Sequence, residues 1–238
     1  MLKLGELSNL DSAVILAGGL GSRLGDLVKK IPKPALKING KAFIFNIIEN
    51  IIKYKVKEII ICVGYKYKVL KKIVGTSYNG VPIIYSIESE PLGTGGAIYN
   101  ALPLIKSNYF FLLNGDSLFK VNLKKLKKFS LFKKSDVSFY LKKVSDSSRF
   151  GKVAIDSQGR VIKFLGKNHH RGGLINGGVY YVNKKVFSHY EGEKNFSFED
   201  EILKKQYNSL QMFGLISRKK FIDIGIVTDL KKFEKNSF

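Results

Sequence analysis

The stretch Ala13-Val14-Ile15-Leu16-Ala17-Gly18-Gly19-Leu20-Gly21-Ser22-Arg23-Leu24, with Pro32-Lys33-Pro34 a few residues on, decides how the chain is read. The apolar run Ala13–Leu16 has the length and composition of a buried strand. The glycines that follow let the backbone turn tightly and bring its N–H groups against a ligand, a geometry that suits phosphate. Arg23 and Lys33 add two cations to the same loop. A phosphate cradle with fixed positive charge is the simplest reading, set against a tight turn carrying two solvated charges. Two common phosphate motifs are excluded. The dinucleotide fingerprint G-x-G-x-x-G opens a helix directly, whereas here the next clear helical pattern starts near Lys41. The P-loop ending Gly-Lys-Ser/Thr is absent.

Working outward, the first half alternates strand and helix patterns. Ser12 to Ala17, Glu58 to Val63, Val81 to Ile87 and Tyr109 to Leu113 read as strands. Lys41 to Tyr54, Tyr67 to Val74 and Thr94 to Leu104 read as helices, and Gly18 to Gly40 as one long loop. That order predicts an α/β fold: a Rossmann-like, mostly parallel sheet flanked by helices, with its ligand at the carboxyl ends of the strands. Three loops fall at such ends: Gly18 to Lys33, Glu88 to Gly96, and Asn114-Gly115-Asp116. The second half is richer in strands: Val137 to Lys143, Lys152 to Asp156, Val161 to Leu165, Ile175 to Val182, Gln211 to Ser217 and Lys219 to Ile224. A helix over Ser197 to Gln206 has a Ser197/Asp200 start, and Thr228 caps a final helix. The expected organisation is one domain over 1–238. Residues 1–135 form a nucleotide-binding half, and 136–238 a smaller, strand-rich substrate-binding half.

Composition narrows the class. The single cysteine, Cys62, sits in the apolar run Ile59–Val63 and reads as a buried strand thiol. Met1 to Asp11 carries Glu6 and Asp11 and lacks the apolar core of a secretory leader, so a reduced cytoplasmic setting is expected. No apolar run has spanning length, so no stable membrane insertion is expected. The net charge is +22, yet of 41 basic residues only Arg23, Arg149, Arg160, Arg171 and Arg218 are arginine. A dispersed lysine surface fits biased composition and steering of polyanionic substrates, and nucleic acid is not an expected partner. The basic stretch Leu123 to Lys134 reads as a solvated face over a core stripe of Leu123, Leu126 and Phe129. His169, His170 and His189 lack metal-site spacing.

The pattern L-A-G-G-x-G-S-R-L followed by P-K-P resembles the signature of the sugar-1-phosphate nucleotidyltransferases. Asn114-Gly115-Asp116 and Phe221-Ile222-Asp223-Ile224-Gly225 resemble that family's N-G-D and late I-D-x-G elements, so the resemblance spans nearly the whole chain. Within the superfamily it is most similar to the D-glycero-D-manno-heptose 1-phosphate guanylyltransferases. The resemblance implies transfer of a nucleotidyl group from GTP to the heptose 1-phosphate, giving GDP-heptose and pyrophosphate for surface polysaccharide (capsule, lipopolysaccharide or S-layer glycan). It implies that Asp116 and Asp223 jointly hold Mg²⁺, that Arg23 binds the triphosphate, and that Lys33 serves both the α-phosphate and the sugar phosphate, so Arg23, Lys33 and Asp116 are the expected catalytic set. A nucleoside triphosphate carries about four negative charges, and one or two carboxylates plus phosphate oxygens are the usual way to hold its metal. Taken without the resemblance, each aspartate reads equally as a turn residue capping backbone N–H groups.

Nucleotide binding is expected at Leu16, Ala17, Gly18, Gly19, Gly21, Ser22 and Arg23, and at Glu88, Pro91, Gly93, Thr94 and Asn114. Gly93 is expected to let backbone approach the base. Glu88 stands where thymidylyl and uridylyl relatives commonly have glutamine. A carboxylate only accepts hydrogen bonds, and guanine offers two adjacent donors, so Glu88 favours GTP. The competing reading makes Glu88 an outward edge-strand residue and leaves base recognition to backbone. The sugar wall resembles Phe150-Gly151, Lys167 and Asn176-Gly177-Gly178, with Gly151, Lys167, Asn176, Gly177 and Glu199 as substrate contacts beside Lys33. Gly166 replaces the glutamate that usually precedes the lysine, removing one hydroxyl acceptor. Glu199 reads equally as an exposed first-turn residue. The same chemistry with UTP, CTP or dTTP and a hexose or amino-sugar phosphate is the nearest rival. A basic nucleic-acid module and a regulatory nucleotide-sugar sensor are remoter ones. The sequence leaves oligomeric state open, a homodimer included.

Overall fold

The computed structural model describes residues 11–166, 172–188, 190–226 and 229–230, with only the backbone of Ser22 and Arg23. In chain order the strands are β1 Ser12–Leu16, β2 Lys37–Ile38, β3 Lys41–Ala42, β4 Ile59–Val63, β5 Ser77–Tyr78, β6 Val81–Ile87, β7 Tyr109–Asn114 and β8 Ser117–Phe119. There follow β9 Val137–Val144, β10 Lys152–Ile155, β11 Val161–Leu165, β12 Gly173–Asn183, β13 Met212–Ser217 and β14 Phe221–Asp223. The helices are α1 Phe43–Ile52, α2 Tyr67–Val74, α3 Gly93–Ala101, α4 Leu123–Lys133 and the π-helical α5 Phe198–Lys204. Thr228, Lys167 and the three histidines lie outside the described residues.

β7, β1, β4 and β6 are parallel neighbours in that order, as the alternation of strand and helix predicts. Successive residues of these strands face opposite layers. Ala13, Ile15, Ile59, Ile61, Phe111 and Leu113 join one buried cluster with Phe43, Ile47 and Ile51 of α1 and Leu70 of α2. Val14, Ile60, Cys62, Phe110 and Leu112 face the other layer, with Ala97, Ile98 and Ala101 of α3 and Phe198 and Ile202 of α5. A strand covered on both faces needs an unbroken apolar run, which is why these segments do not alternate with polar residues. Burial pushes the Cys62 thiol pKa far up, in keeping with a structural cysteine.

The sheet continues into the second half of the chain through β12, which pairs antiparallel with β7 and β9. β12 changes register between Asn176 and Tyr180, where Gly178 has φ +69°. β8 and β14 form a separate two-stranded ribbon, with Asp223 opposite Ser117.

Two pieces of local structure differ from the sequence expectation. Lys41–Ala42 is a strand and α1 starts at Phe43, because Asn39 and Gly40 both have positive φ and close a tight hairpin from β2 to β3. Asn79-Gly80 does the same between β5 and β6. The expected loop Gly18 to Gly40 holds this hairpin and two short 3-10 segments, Ser22–Val28 and Lys33–Ala35. α5 starts as expected: the Ser197 hydroxyl accepts from the Asp200 N–H.

Candidate active site

The loops that follow β1, β4, β6 and β7 converge on a cavity of about 610 Å³. Its walls include Leu16, Ala17, Gly18, Gly19 and Gly21 from the first loop, and Glu88, Pro91, Gly93 and Thr94 from the third. Asn114, Asp116 and Lys33 complete the set of expected residues there. Gly64 and Tyr65, after β4, also line it and had no motif to mark them; their place at a strand's carboxyl end is the signal that finds them. The side chains of Ser22 and Arg23 lie outside the described residues.

Glu88 is set into this pocket. A Cβ on Gly18 would lie 1.9 Å from its Oε1, and one on Gly64 would lie 2.8 Å from its Cγ. Two glycines at the ends of adjacent strands thus make room for one carboxylate. Glu88 Oε2 accepts from the Leu92 N–H at 3.0 Å, while Oε1 makes no hydrogen bond among the described residues. Burial raises the Glu88 pKa and the Leu92 N–H opposes that rise.

The two expected metal carboxylates come together. β14 lies against β8, and the Ile224 N–H donates to the Asp116 carbonyl at 2.9 Å. The Asp223 pKa is raised, first by burial and then by the neighbouring Asp116 charge; Lys33 and Arg149 oppose this. Lys33 Nζ lies 2.6 Å from Asp116 Oδ2, and the lysine is largely buried. Pro32 and Pro34 pin the short 3-10 turn that aims it. The two carboxylates are oxygen donors of the kind a hard divalent ion takes, with the remaining positions left to phosphate oxygens and water. Arg149 is a further member that sequence reading left unassigned. Its guanidinium pairs with Asp229, and its Nη2 lies 3.3 Å from the point a Gly225 Cβ would occupy, beside Asp223.

The expected sugar wall is assembled in part. Gly151 faces Glu199, whose Oε1 is 3.2 Å from the glycine's Cβ position and 3.6 Å from Lys204 Nζ. Asn176 uses its amide locally: Nδ2 donates to the Tyr180 hydroxyl at 2.7 Å and Oδ1 accepts from the Gly178 N–H. Gly177 leaves space for the Phe119 ring, 2.4 Å from its Cβ position. Tyr180, four residues from Asn176 on the same strand, is a buried phenol that sequence reading missed. Burial, then the charge of Glu199, raises its pKa. Apart from its chain neighbours, no atom among the described residues lies within 4 Å of the Gly166 Cβ position.

Gly93 lines the cavity and also makes room for a second segment of the chain. Its Cβ position is 2.5 Å from the Phe196 carbonyl oxygen, so its lack of a side chain admits the 194–196 segment. Gly95 and Gly96 do the same, meeting the Phe196 ring at 2.1 Å and the Lys194 carbonyl at 2.1 Å. Gly95→Ala should therefore overpack a close contact and lower stability by about 1–3 kcal/mol. In a chain of this size that is a fall of roughly 2–12 °C in melting temperature, measurable by calorimetry.

Comparison with known proteins gives the family. The chain belongs to the nucleotidyl transferase family, whose model matches residues 12–237, and it is a nucleotidyltransferase. It is 43% identical over 225 residues to the D-glycero-alpha-D-manno-heptose 1-phosphate guanylyltransferase of Campylobacter jejuni subsp. jejuni, covering 94% of this chain and 99% of that one. It is 40% identical to the enzyme of the same name from Aneurinibacillus thermoaerophilus, covering 94% and 96%. The crystal structure of HddC from Yersinia pseudotuberculosis complexed with GMP-PN superposes with a TM-score of 0.84 at 34% identity, over 95% of this chain and 99% of that one. No helix among the described residues is long and apolar enough to cross a membrane.

Proposed function

We propose that this protein transfers the guanylyl group of GTP to D-glycero-D-manno-heptose 1-phosphate, releasing pyrophosphate and forming GDP-heptose for surface polysaccharide. The observation that carries the choice of base is the Glu88 carboxylate. It is seated in the pocket between Gly18 and Gly64 with Oε1 uncommitted, and it can only accept. Guanine presents the N1–H and 2-amino donors side by side, whereas uracil and thymine present one donor between two carbonyls. The names of the two relatives above support the same base and the same sugar.

In this reading the sugar phosphate oxygen attacks the α-phosphorus, the bond to the bridging oxygen breaks, and pyrophosphate leaves with its electron pair. The attacking phosphate has its second pKa near 6 and is already ionised at neutral pH, so no general base is needed. The protein's task is to hold two polyanions in line and to offset charge as it builds. The glycine loop after β1 offers backbone N–H groups to the triphosphate, and Arg23 adds charge there. Lys33, aimed from its proline-bracketed turn, stabilises the α-phosphoryl group. Asp116 and Asp223 would hold Mg²⁺, which when bound polarises the phosphoryl centre and orients the phosphates. Gly151 and Glu199 face the sugar, with Lys167 at its phosphate.

The test is pyrophosphate release with Mg²⁺ across GTP, CTP, UTP and dTTP, each paired with heptose, mannose and glucose 1-phosphates. Release with GTP and heptose 1-phosphate alone is expected. Release confined to another pair discards the substrate assignment and keeps the site chemistry. Glu88→Gln should lower the kcat/KM ratio of GTP to UTP by about 10–100-fold, the worth of a hydrogen bond to a charged group. An unchanged ratio would remove Glu88 from base recognition.

A further inference from the structure

Thr94 stands in the loop assigned to the nucleotide, yet its hydroxyl oxygen is committed elsewhere. Thr94 Oγ1 accepts from the Phe198 backbone N–H at 2.9 Å, across 104 residues of sequence. Phe198 is the first residue of α5, and Glu199 is the second. A helix's first N–H groups have no partner inside the helix. Ser197 satisfies the one at Asp200, and Thr94 satisfies the one at Phe198. The start of α5 therefore has two caps, one from its own chain neighbour and one from α3.

The same two segments are joined at three more points. The Phe196 N–H donates to the Leu92 carbonyl at 3.0 Å, and the Phe196 carbonyl accepts from the N–H groups of Gly95 at 2.8 Å and Gly96 at 3.4 Å. Two of the leading N–H groups of α3 are thus occupied by protein. Leu92 also donates its N–H to Glu88. Hydrogen bonds lead from the proposed base reader through Leu92 to Phe196 and on to Gly95, whose chain neighbour Thr94 holds Phe198, the residue before Glu199.

We infer that Thr94 is a positioning residue for the sugar-phosphate half of the site, fixing the start of α5 so that Glu199 is held opposite Gly151. This rests on the reading of Glu199 as a sugar contact. Thr94→Val keeps the shape and removes the acceptor. It should raise the KM for the sugar 1-phosphate by about tenfold, the size expected for an orphaned buried N–H. Any loss of GTP affinity measured by calorimetry should be smaller than the rise in the sugar KM, and Thr94→Ser should restore the wild-type values. The effects of Thr94→Val and Glu199→Gln should be non-additive, because one acts through the other. Amide exchange in the substrate-free protein gives a readout independent of turnover: residues 197–204 should lose protection in Thr94→Val and regain it in Thr94→Ser.

Each contrary result is distinct. A loss of GTP affinity as large as the loss for sugar would make Thr94 a nucleotide ligand, acting through the O–H it still has to donate. Unchanged exchange in 197–204 would show that the bond does not fix α5. A silent Glu199→Gln would overturn the sugar reading of Glu199 while leaving the exchange result to judge the contact itself.

Discussion

Asp116→Asn should cut turnover by about a thousandfold while leaving the fold intact. The side chain has two roles in the proposed site: partner of Lys33 at 2.6 Å and one of two carboxylates for the divalent ion. Asparagine keeps an acceptor for Lys33 Nζ, and the backbone carbonyl that receives the Ile224 N–H is untouched, so the β8–β14 ribbon should persist. What is lost is negative charge beside Asp223. The metal's contribution to phosphoryl chemistry is several kcal/mol, and about 1.36 kcal/mol is a factor of ten, which sets the expected loss in kcat at about a thousandfold. Circular dichroism and the melting temperature should stay near wild type, and Mn²⁺ binding by titration calorimetry should weaken in parallel with activity. Near-normal turnover would remove Asp116 from the metal site. Lost turnover with intact metal binding would assign the Asp116 charge to its pairing with Lys33 instead.

Much of the parallel sheet was legible because doubly covered strands leave apolar runs with no alternation, and these runs end in the loops that line the cavity. The hairpin at Asn39-Gly40 was legible too but went unread. An Asn-Gly pair between short apolar flanks carries its own turn signal, whereas the helical period of α1 drew the boundary two residues early. The site divides differently. Several glycines at the site also make room for side chains and backbone brought from afar. Gly18 and Gly64 accommodate Glu88, while Gly93, Gly95 and Gly96 accommodate residues 194–196. Sequence shows that a side chain is missing and not what fills the space. Likewise, no local pattern places Asp223 beside Asp116 or Arg149 beside Asp223. The antiparallel ribbon of β8 and β14 and the turn before Gly151 create those neighbours, so only the resemblance to a family could pair the aspartates in advance.

Lys33→Ala should cut kcat by about 10²–10³-fold, a loss of roughly 2.7–4 kcal/mol of transition-state stabilisation, as for removal of one preorganised donor from a site of developing charge. The structure gives the reason the lysine can act so strongly. It is held largely out of water, on a turn stiffened by prolines on both sides, so little reorganisation is needed when charge builds on the phosphoryl oxygens. Its removal also leaves Asp116 without its ammonium partner beside Asp223, which should destabilise the substrate-free chain and lower the divalent concentration needed to occupy the two carboxylates. Steady-state kinetics separates the two consequences. If kcat and kcat/KM fall together at saturating metal, Lys33 acts in the transition state; if KM rises with kcat unchanged, it binds substrate and transition state equally. Lys33→Arg adds a geometric check. A guanidinium restores the charge but not the compact ammonium that fits 2.6 Å from Asp116, so it should recover stability before it recovers rate.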